Sequence, residues 1–383
     1  MNPERPLTLG VIGVSRKPDE RRVPIHPDHF DRLPEDLRAR VFVERAYGQR
    51  FGVADDEIRG LVGGVLDRAD LIAAADVLLL PKPQHQDLRD MRDGQTLWGW
   101  PHLVQDAGMT QLAIDKHLSV IAFEAMNHWG SDGTFGLHVF HMNNELAGYC
   151  SVLHALQLCG STGDYGRRLT AVVIGFGATA RGAVTALRAH GVHDVRVLTN
   201  RAAASVAAPI HATQILQFEH EGPRVSEVIT DEGRVPLAPL LAESDIVVNC
   251  TLQDPNRPLV YLQTSDLTAF RPGSLIVDVS CDEGMGFDWA RPTGFADPMF
   301  TVGGNINYYA VDHSPSYLWN SASWEISEAI LGFLPTVMAG PSAWKSDDTI
   351  SRAIEVSGGE VRNAAILEFQ NRHREPPYVV LPS

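Results

Sequence analysis

The sequence has few cysteines, fewer basic than acidic residues, and no long apolar segment. Its four cysteines are scattered and form no Cys-x-x-Cys pair, which argues against a disulfide framework or a zinc site and favours a reducing compartment. Lysine and arginine number 32 against 47 acidic residues, a net charge of −15, so we expect neither nucleic acid nor an anionic membrane as a partner. No run of about 18 apolar residues occurs, so no transmembrane helix is expected. The first residues lack the apolar core of a signal peptide, and we expect a cytoplasmic protein.

The chain is long enough for two domains. It has 383 residues, of which 44% are hydrophobic and 21% charged, a composition typical of globular enzymes. Apolar strands alternate with helical segments, which predicts an α/β fold with parallel sheets. One complete alternating unit spans 140–319, and the later helices follow too late to belong to it. We therefore predict two Rossmann-like domains with the active-site cleft between them: a discontinuous substrate domain, 1–139 plus 320–383, and a dinucleotide-binding domain, 140–319.

The most informative motif is a glycine-rich turn between an apolar strand and an alanine-rich helix. The segment VVIGFGATARGA places Gly175, Gly177 and Ala180 in a Gly-x-Gly-x-x-Ala pattern. Gly175 would permit the tight turn, Gly177 the close approach of a pyrophosphate, and Ala180 close packing of helix on strand. The helix N-terminus would supply N–H groups to the phosphates. The motif predicts a dinucleotide site; the alternative is a tight turn that binds nothing.

An acidic residue is missing where many such sites have one. The next strand, DVRVLTNR, ends in Asn200 and Arg201 rather than in the carboxylate that would bind the ribose hydroxyl of NAD. A guanidinium at that position would pair with the 2′-phosphate of NADP, and the Asn200 amide could donate a further hydrogen bond. We therefore predict NADP as the cofactor. The alternative is that Arg201 is an ordinary solvated charge.

Three polar residues of the first domain follow three apolar strands. Arg22 comes soon after the first strand, Lys82 follows LLLP, and His102 follows GWP. Because parallel strands present ligand-binding groups at their carboxyl ends, these side chains should meet at one edge. Arginine would bind a substrate carboxylate, while lysine and histidine would polarise a carbonyl or imine and exchange its proton. Each residue taken alone would more often be structural or exposed.

Other ionisable residues carry weaker signals. Asp282 follows the strand SLIVDV and would face the same cleft near the nicotinamide, although a loop or N-cap aspartate fits equally well. Asp278 within that strand is interpreted as structural. Glu124 stands in the apolar run IAFEAM and is expected to make a buried hydrogen bond rather than to take part in chemistry. His138 and His141 lack a carboxylate partner, and we predict no metal site.

These segments resemble the superfamily of alanine dehydrogenase, saccharopine dehydrogenase and the proton-translocating transhydrogenases. The resemblance runs in order through nearly the whole chain, in ERRVPIHP, LLLPKPQ, GWPHL, NNELAGY, GSLIVDVSCDEG and VDHSPSYLWNSASWEISEA. Within the superfamily, ERRVPIHP, GWPHL, LAGYCSVLHAL and HSPSYLWNSASWEISEA look most like the N5-(carboxyethyl)ornithine synthases. Such enzymes join pyruvate reductively to the side-chain amine of ornithine with NADPH. The missing ribose acid departs from the pattern usual in alanine dehydrogenases.

The resemblance implies a role for each candidate residue. Arg22 would bind the carboxylate of the 2-oxo acid, Lys82 and His102 would act on its keto or imine group, and Asp282 would line the cleft. Asn144, at the head of the long connecting helix, would contact the cofactor. Homo-oligomers are expected because relatives assemble into dimers or larger species.

The expected activity is that of an NADPH-dependent oxidoreductase that forms a C–N bond between a 2-oxo acid and an amino-acid amine. It would act on CH–NH rather than CH–NH2 donors; the alternative is an alanine or saccharopine dehydrogenase. The identity of the amine stays open. Five aromatic residues could shape its pocket or equally belong to the core: Trp98, Trp100, Tyr308, Tyr309 and Trp319.

Overall fold

The computed structural model describes residues 5–200, 210, 212, 214–253 and 257–382. The chain divides into two compact units. Unit 1 comprises Met1–His141 and Trp319–Ser383, and unit 2 comprises Met142–Leu318.

The strands of the described residues are short and mostly buried. In chain order they are β1 (Leu9–Val11), β2 (Val41–Glu44), β3 (Gly64–Leu66), β4 (Val77–Leu79), β5 (Thr96–Gly99), β6 (Ser119–Ala122), β7 (Asn127–Trp129), β8 (Phe135–His138), β9 (Thr170–Ile174), β10 (Asp194–Thr199), β11 (Gln214–Gly222), β12 (Val225–Thr230), β13 (Gly233–Pro236), β14 (Ile246–Asn249), β15 (Val260–Leu262), β16 (Leu275–Asp278), β17 (Gly286–Phe287), β18 (Met299–Val302), β19 (Ile306–Tyr309), β20 (Ile354–Ser357) and β21 (Glu360–Val361).

Helices connect most of these strands. The α-helices of the described residues are α1 (Glu35–Arg38), α2 (Asp55–Arg59), α3 (Arg68–Ala74), α4 (His85–Asp90), α5 (Ala107–Asp115), α6 (His141–Leu158), α7 (Ala178–Ala189), α8 (Leu237–Ala242), α9 (Trp319–Leu331), α10 (Leu334–Ala339), α11 (Pro341–Trp344), α12 (Asp348–Ala353) and α13 (Ala364–Phe369). Short 3-10 helices occupy Pro27–Arg32, Gln49–Phe51, Phe123–Ala125, Thr264–Ala269 and Ser314–Leu318.

Unit 1 is built on an eight-stranded sheet in the order β21-β20-β6-β5-β4-β1-β2-β3. The strands from β1 to β6 are parallel, and β20 adds to β6 in the antiparallel direction. Counted along the chain, the six parallel strands lie in the doubly wound order 3-2-1-4-5-6. This order reverses between β1 and β4, and ligands bind such sheets outside the carboxyl ends of the strands at that point.

Unit 2 repeats the same arrangement. Its nine-stranded sheet has the order β13-β12-β11-β10-β9-β14-β16-β19-β18, and the strands from β11 to β19 in this order are parallel. Taking β9 as the first, β11-β10-β9-β14-β16-β19 again reads 3-2-1-4-5-6, with the reversal between β9 and β14. The predicted α/β fold with two largely parallel sheets is confirmed.

The parallel strands form because their residues are apolar on both faces. Strand β14 has four buried residues and β16 has four, as a parallel strand covered by helices on both sides requires. In unit 2, two apolar clusters cover opposite faces of the sheet: Val173 and Val248 belong to one, Val172 and Val247 to the other. Adjacent residues of one strand point to opposite faces, which explains the division.

Helices α6 and α7 pack at unusually short range because glycine faces the partner backbone. A Cβ on Gly182 would lie 1.8 Å from the Glu145 carbonyl oxygen. No side chain fits there, so the contact fixes the first turns of α6 beside the first turns of α7. This packing places the head of α6, including Asn144, near the glycine-rich turn.

The structure differs from the sequence interpretation between β10 and β14. This region contains the antiparallel meander β11-β12-β13, for which no strand is predicted. In the described part of the chain, no helix combines the length and apolar character needed to cross a membrane.

Candidate active site

Arg22, Lys82 and His102 lie together at the carboxyl edge of the unit 1 sheet. Lys82 and His102 follow β4 and β5, and the Lys82 Nζ is 2.6 Å from the His102 Nε2. The Trp100 ring joins them to Arg22: the Arg22 guanidinium lies 5.5 Å and the Lys82 Nζ 6.0 Å from its centroid. Ser15, which follows β1, donates to the Lys82 carbonyl oxygen at 3.1 Å. The three residues therefore meet where the strand order reverses.

The Arg22 side chain is held by an acidic neighbour. Its Nε and Nη2 donate to the two carboxylate oxygens of Glu20 at 2.8 and 2.5 Å. Both side chains are almost fully buried, so each charge requires the other. The Glu20 pairing fixes the guanidinium plane, and a guanidinium has five N–H donors, more than Glu20 accepts.

The Lys82–His102 contact restricts the protonation of the imidazole. A lysine ammonium can only donate, so with Lys82 in that form the His102 Nε2 accepts and a neutral ring carries its proton on Nδ1. The Nδ1 atom lies 3.8 Å from the Glu124 Oε1. A lysine and a histidine in hydrogen-bond contact can exchange a proton with each other and with a bound carbonyl or imine.

Glu124 holds the backbone of His102. Its Oε1 accepts the His102 backbone N–H at 2.8 Å, and His102 has a φ of 51°, a left-handed conformation that a non-glycine residue rarely adopts. Glu124 therefore supports the strained turn that presents the imidazole. The sequence interpretation foresaw a hydrogen bond but not its partner in the site; the position of Glu124 at the end of β6, next to β5, was the available signal.

A second carboxylate, Glu355 of β20, interacts with Glu124. Burial, followed by the nearby Glu355, raises the pKa of Glu124 to about 8. The Glu124 side chain keeps 28% exposure, yet its Oε2 atom is fully buried and has no hydrogen-bond partner among the described residues. Burial also raises the pKa of Glu355, whose Oε1 accepts from the Asn363 amide at 2.9 Å. Burial and the neighbouring carboxylate therefore both favour the protonated form of Glu124.

The glycine-rich turn of unit 2 has the geometry of a phosphate-binding turn. Gly175 has a φ of 115°, and a Cβ there would lie 2.9 Å from the Cys250 carbonyl oxygen, so only glycine fits. A Cβ on Gly177 would meet no atom within 4 Å, which leaves the backbone open to a ligand. Ala180 is fully buried beneath the first turn of α7. The twelve-residue helix α7 directs its free N–H groups at this space.

A cavity of about 450 Å³ opens at this turn. Its walls include Gly175, Gly177, Thr199 and Asn200, together with two residues that no sequence motif singles out, His220 and Tyr261. His220 and Tyr261 stack with ring centroids 5.9 Å apart. A glycine turn, a helix N-terminus and aromatic rings in one cavity suit a dinucleotide.

The other residues predicted for the cofactor site are Arg201, Asn144 and Asp282. Arg201 falls outside the described residues. Asn144 and Asp282 are half-buried residues of unit 2 and are not among the described residues that line the cavity. Burial raises the pKa of Asp282.

Asp278 is part of a buried polar network under the same edge. It accepts from the Tyr308 hydroxyl at 2.6 Å, the Asn249 amide at 3.0 Å and the Cys281 backbone N–H at 3.1 Å. Burial raises its pKa to about 6 against these hydrogen bonds. The network ties the ends of β14, β16 and β19 together.

The aromatic residues considered for an amine pocket separate into two groups. Trp98, Tyr308 and Tyr309 are fully buried and belong to the cores. Trp100 also belongs to the unit 1 core, and both Trp100 and Trp319 contact cations; the Trp319 ring centroid is 5.8 Å from the Arg50 guanidinium.

Family models match most of the chain. The model described as alanine dehydrogenase/PNT, N-terminal domain, matches residues 13–139. The model of the C-terminal domain matches residues 163–364, more than half of the chain. The chain belongs to the alanine dehydrogenase/PNT family. Members of this family are oxidoreductases that depend on a nicotinamide dinucleotide.

Two enzymes of different reaction types are among its relatives. An N(5)-(carboxyethyl)ornithine synthase of Clostridium botulinum is 24% identical over 335 residues, 84% of this chain and 92% of that protein. An alanine dehydrogenase of Halomonas elongata is 26% identical over 349 residues, 86% of this chain and 88% of that protein. These relatives support a dehydrogenase-family role with small-molecule substrates.

Solved structures share the fold. An L-alanine dehydrogenase superimposes with a TM-score of 0.76 at 20% identity and covers 95% of this chain and 99% of its own. A transhydrogenase from Sinorhizobium meliloti gives 0.68 at 21% identity, with 94% and 99% coverage. The predicted superfamily is confirmed by the two family models, and these structures add the shared fold.

Proposed function

We propose that this protein is an NADPH-dependent oxidoreductase that joins a 2-oxo acid, such as pyruvate, to the amine of an amino acid such as ornithine or lysine. The observation that carries the proposal is the contact of Lys82 with His102 beside Arg22 at the point where the strand order reverses. This set supplies an anion anchor and a proton donor–acceptor pair, which imine formation and reduction require.

Arg22 orients the oxo acid. Its guanidinium, fixed by Glu20, binds the substrate carboxylate and turns the adjacent carbonyl towards Lys82 and His102. The Lys82 ammonium hydrogen-bonds the carbonyl oxygen and polarises the C=O bond. Fixing both groups before reaction lowers the entropic part of the barrier.

The Lys82–His102 pair then moves protons. The amine nitrogen attacks the carbonyl carbon, His102 takes a proton from that nitrogen, and the pair delivers it to the oxygen to give a carbinolamine. The second nitrogen proton reaches the oxygen by the same route, and the oxygen then leaves as water. The resulting C=N bond is reduced by one hydride and one proton to a secondary amine. A bound NADPH supplies the hydride. Glu124 keeps His102 in position through its backbone N–H.

The residues of the unit 2 cavity support NADPH over NADH. Asn200 follows β10 in the place where a carboxylate would repel a 2′-phosphate, and it lines the cavity. The neighbouring Arg201 adds a guanidinium in sequence, and Arg257 lines the same cavity. Gly175 and Gly177 fit the pyrophosphate, and Ala180 lets helix α7 pack closely on its strand. By resemblance we assign Asn144 to cofactor binding and Asp282 to the cleft beside the nicotinamide.

The alternative is an alanine dehydrogenase, in which ammonia replaces the amino acid. The 26% identity to the Halomonas elongata enzyme favours it, and the same three residues would serve that reaction. NADPH oxidation measured with pyruvate plus ornithine, lysine, other amino acids or ammonia separates the two. Turnover with an amino acid and none with ammonia supports the proposal; turnover with ammonia alone contradicts it.

A further inference from the structure

A second cavity, of about 290 Å³, opens at the carboxyl edge of β1 and β2 in unit 1. Three apolar or aromatic residues form one side: Val23, Tyr47 and Phe51. Gly13, Gln49 and Arg50 also line it, and Arg50 is the charged residue among the described residues of the wall. The volume is at the lower end of that of ligand pockets, so the cavity suits a molecule the size of an amino acid rather than a nucleotide.

Arg50 is held in place at this wall. Its Nη1 donates to the Arg21 carbonyl oxygen at 2.8 Å, and its guanidinium lies 5.8 Å from the Trp319 ring centroid. Phe51 packs edge-on against the same ring at 5.0 Å. Burial, followed by the nearby Arg21, lowers the pKa of Arg50. An anion bound at this position would offset both the desolvation of the guanidinium and its repulsion by Arg21.

The acidic residues around the cavity are engaged elsewhere. Glu20 pairs with Arg22, and Glu44 accepts the backbone N–H groups of Gly13 and Val14 at 2.9 Å each and pairs with Arg68. Asp55 accepts the Ala46 backbone N–H at 2.9 Å. The wall therefore presents a positive charge beside an apolar surface.

Two segments of the cavity wall continue along the chain into the oxo-acid site. Val23 in the wall follows Arg22, and Gly13 and Val14 precede Ser15, which hydrogen-bonds the Lys82 carbonyl oxygen. This chain continuity favours a position for a molecule in the cavity close to one anchored by Arg22.

We propose that this cavity binds the carboxylate end of the amine substrate, with the carboxylate on Arg50 and the methylene stem against Val23, Tyr47 and Phe51. The inference rests on the proposed function and deepens it, because it identifies Arg50 as the residue that selects an amine with a carboxylate. Ammonia would leave the cavity unused. An amine of the same length without a carboxylate would lose the ion pair.

Calorimetric binding of ornithine and putrescine tests the proposal, since the two differ by one carboxylate. Loss of a hydrogen bond to a charged group costs about 1.5–3 kcal/mol, or roughly 10- to 150-fold in affinity. The parent protein should bind ornithine at least about 10-fold more tightly than putrescine, and Arg50→Gln should remove this difference. Arg50→Lys should restore part of it. Arg59→Gln, which removes an exposed arginine outside the cavity, should leave the difference in affinity between ornithine and putrescine unchanged.

The kinetic counterpart separates this inference from the proposed function. Arg50→Gln should raise the KM for the amino acid about 10-fold or more, with the KM for pyruvate unchanged. Equal binding of ornithine and putrescine by the parent, or a preference that survives in Arg50→Gln, would overturn the assignment of Arg50. Failure to form a C–N product with any amino acid would instead overturn the proposed function.

Discussion

Replacing Glu124 by glutamine should change how stability depends on pH. The folded protein keeps this carboxyl group protonated up to a pKa of about 8, whereas its ordinary value is 4.5. Between those values the folded state binds more protons than the unfolded state, so the free energy of unfolding falls as pH rises through that window. Glutamine cannot ionise, and its amide oxygen can still accept the His102 N–H. The free energy of unfolding of the variant should therefore not fall in this pH window through ionisation at position 124.

The size of the effect follows from the pKa displacement. A change from 4.5 to about 8 corresponds to about 4–5 kcal/mol for an isolated group. Part of this displacement comes from the interaction with Glu355. We therefore expect the free energy of unfolding of Glu124→Gln, relative to that of the parent, to rise by roughly 2–4 kcal/mol between pH 5 and pH 8.

Denaturant unfolding followed by tryptophan fluorescence can measure this. Six of the seven tryptophans lie in unit 1, which contains Glu124; Trp289 lies in unit 2. Glu328→Gln is the matched control, because hydrogen bonding to Arg32 lowers the pKa of the Glu328 carboxyl group. Removing this carboxylate should not increase the free energy of unfolding at pH 8. A stability difference for Glu124→Gln that stays constant or declines from pH 5 to pH 8 would refute the reasoning.

Four further substitutions test other parts of the structure. Gly177→Ala should have the melting temperature of the parent but bind NADPH more weakly in a fluorescence titration, because its Cβ meets no protein atom. Gly182→Ala should lower the melting temperature, because its Cβ would collide with the Glu145 carbonyl oxygen. Tyr308→Phe should cost about 1–3 kcal/mol in denaturant unfolding, since Asp278 loses its shortest hydrogen bond; an unchanged midpoint would contradict the role of that network. Trp100→Leu should lower kcat/KM for pyruvate several-fold, as each cation–π contact contributes about 0.5–1 kcal/mol, and parent-like kinetics would argue against it.

The parallel sheets were predictable from the sequence because their strands are apolar on both faces. A short, continuously apolar segment such as β14 is typical of a strand that helices cover on both sides. The meander β11-β12-β13 was not predictable in this way. Its strands carry mixed polar and apolar residues, and their pairing depends on an antiparallel register that no local pattern specifies.

The candidate site was predictable where a residue follows a strand. Lys82 and His102 met this condition, and the structure brings their side chains into contact. Partners that act across the sheet were harder to find. Glu355 belongs to a strand of the same sheet that lies more than 200 residues after Glu124 in the chain. Arg50 likewise contacts the ring of Trp319, which is distant from it in sequence. Such pairings depend on tertiary contacts rather than on spacing.

The central claim, that the amine is an amino acid, is tested most directly by identifying the product. The protein would be incubated with NADPH, pyruvate, unlabelled ornithine and an equal concentration of ¹⁵N-ammonium, and the products resolved by mass spectrometry. We predict an unlabelled secondary amine that contains the whole ornithine skeleton joined to the three carbons of pyruvate. ¹⁵N-labelled alanine as the product, without the joined compound, would contradict the account.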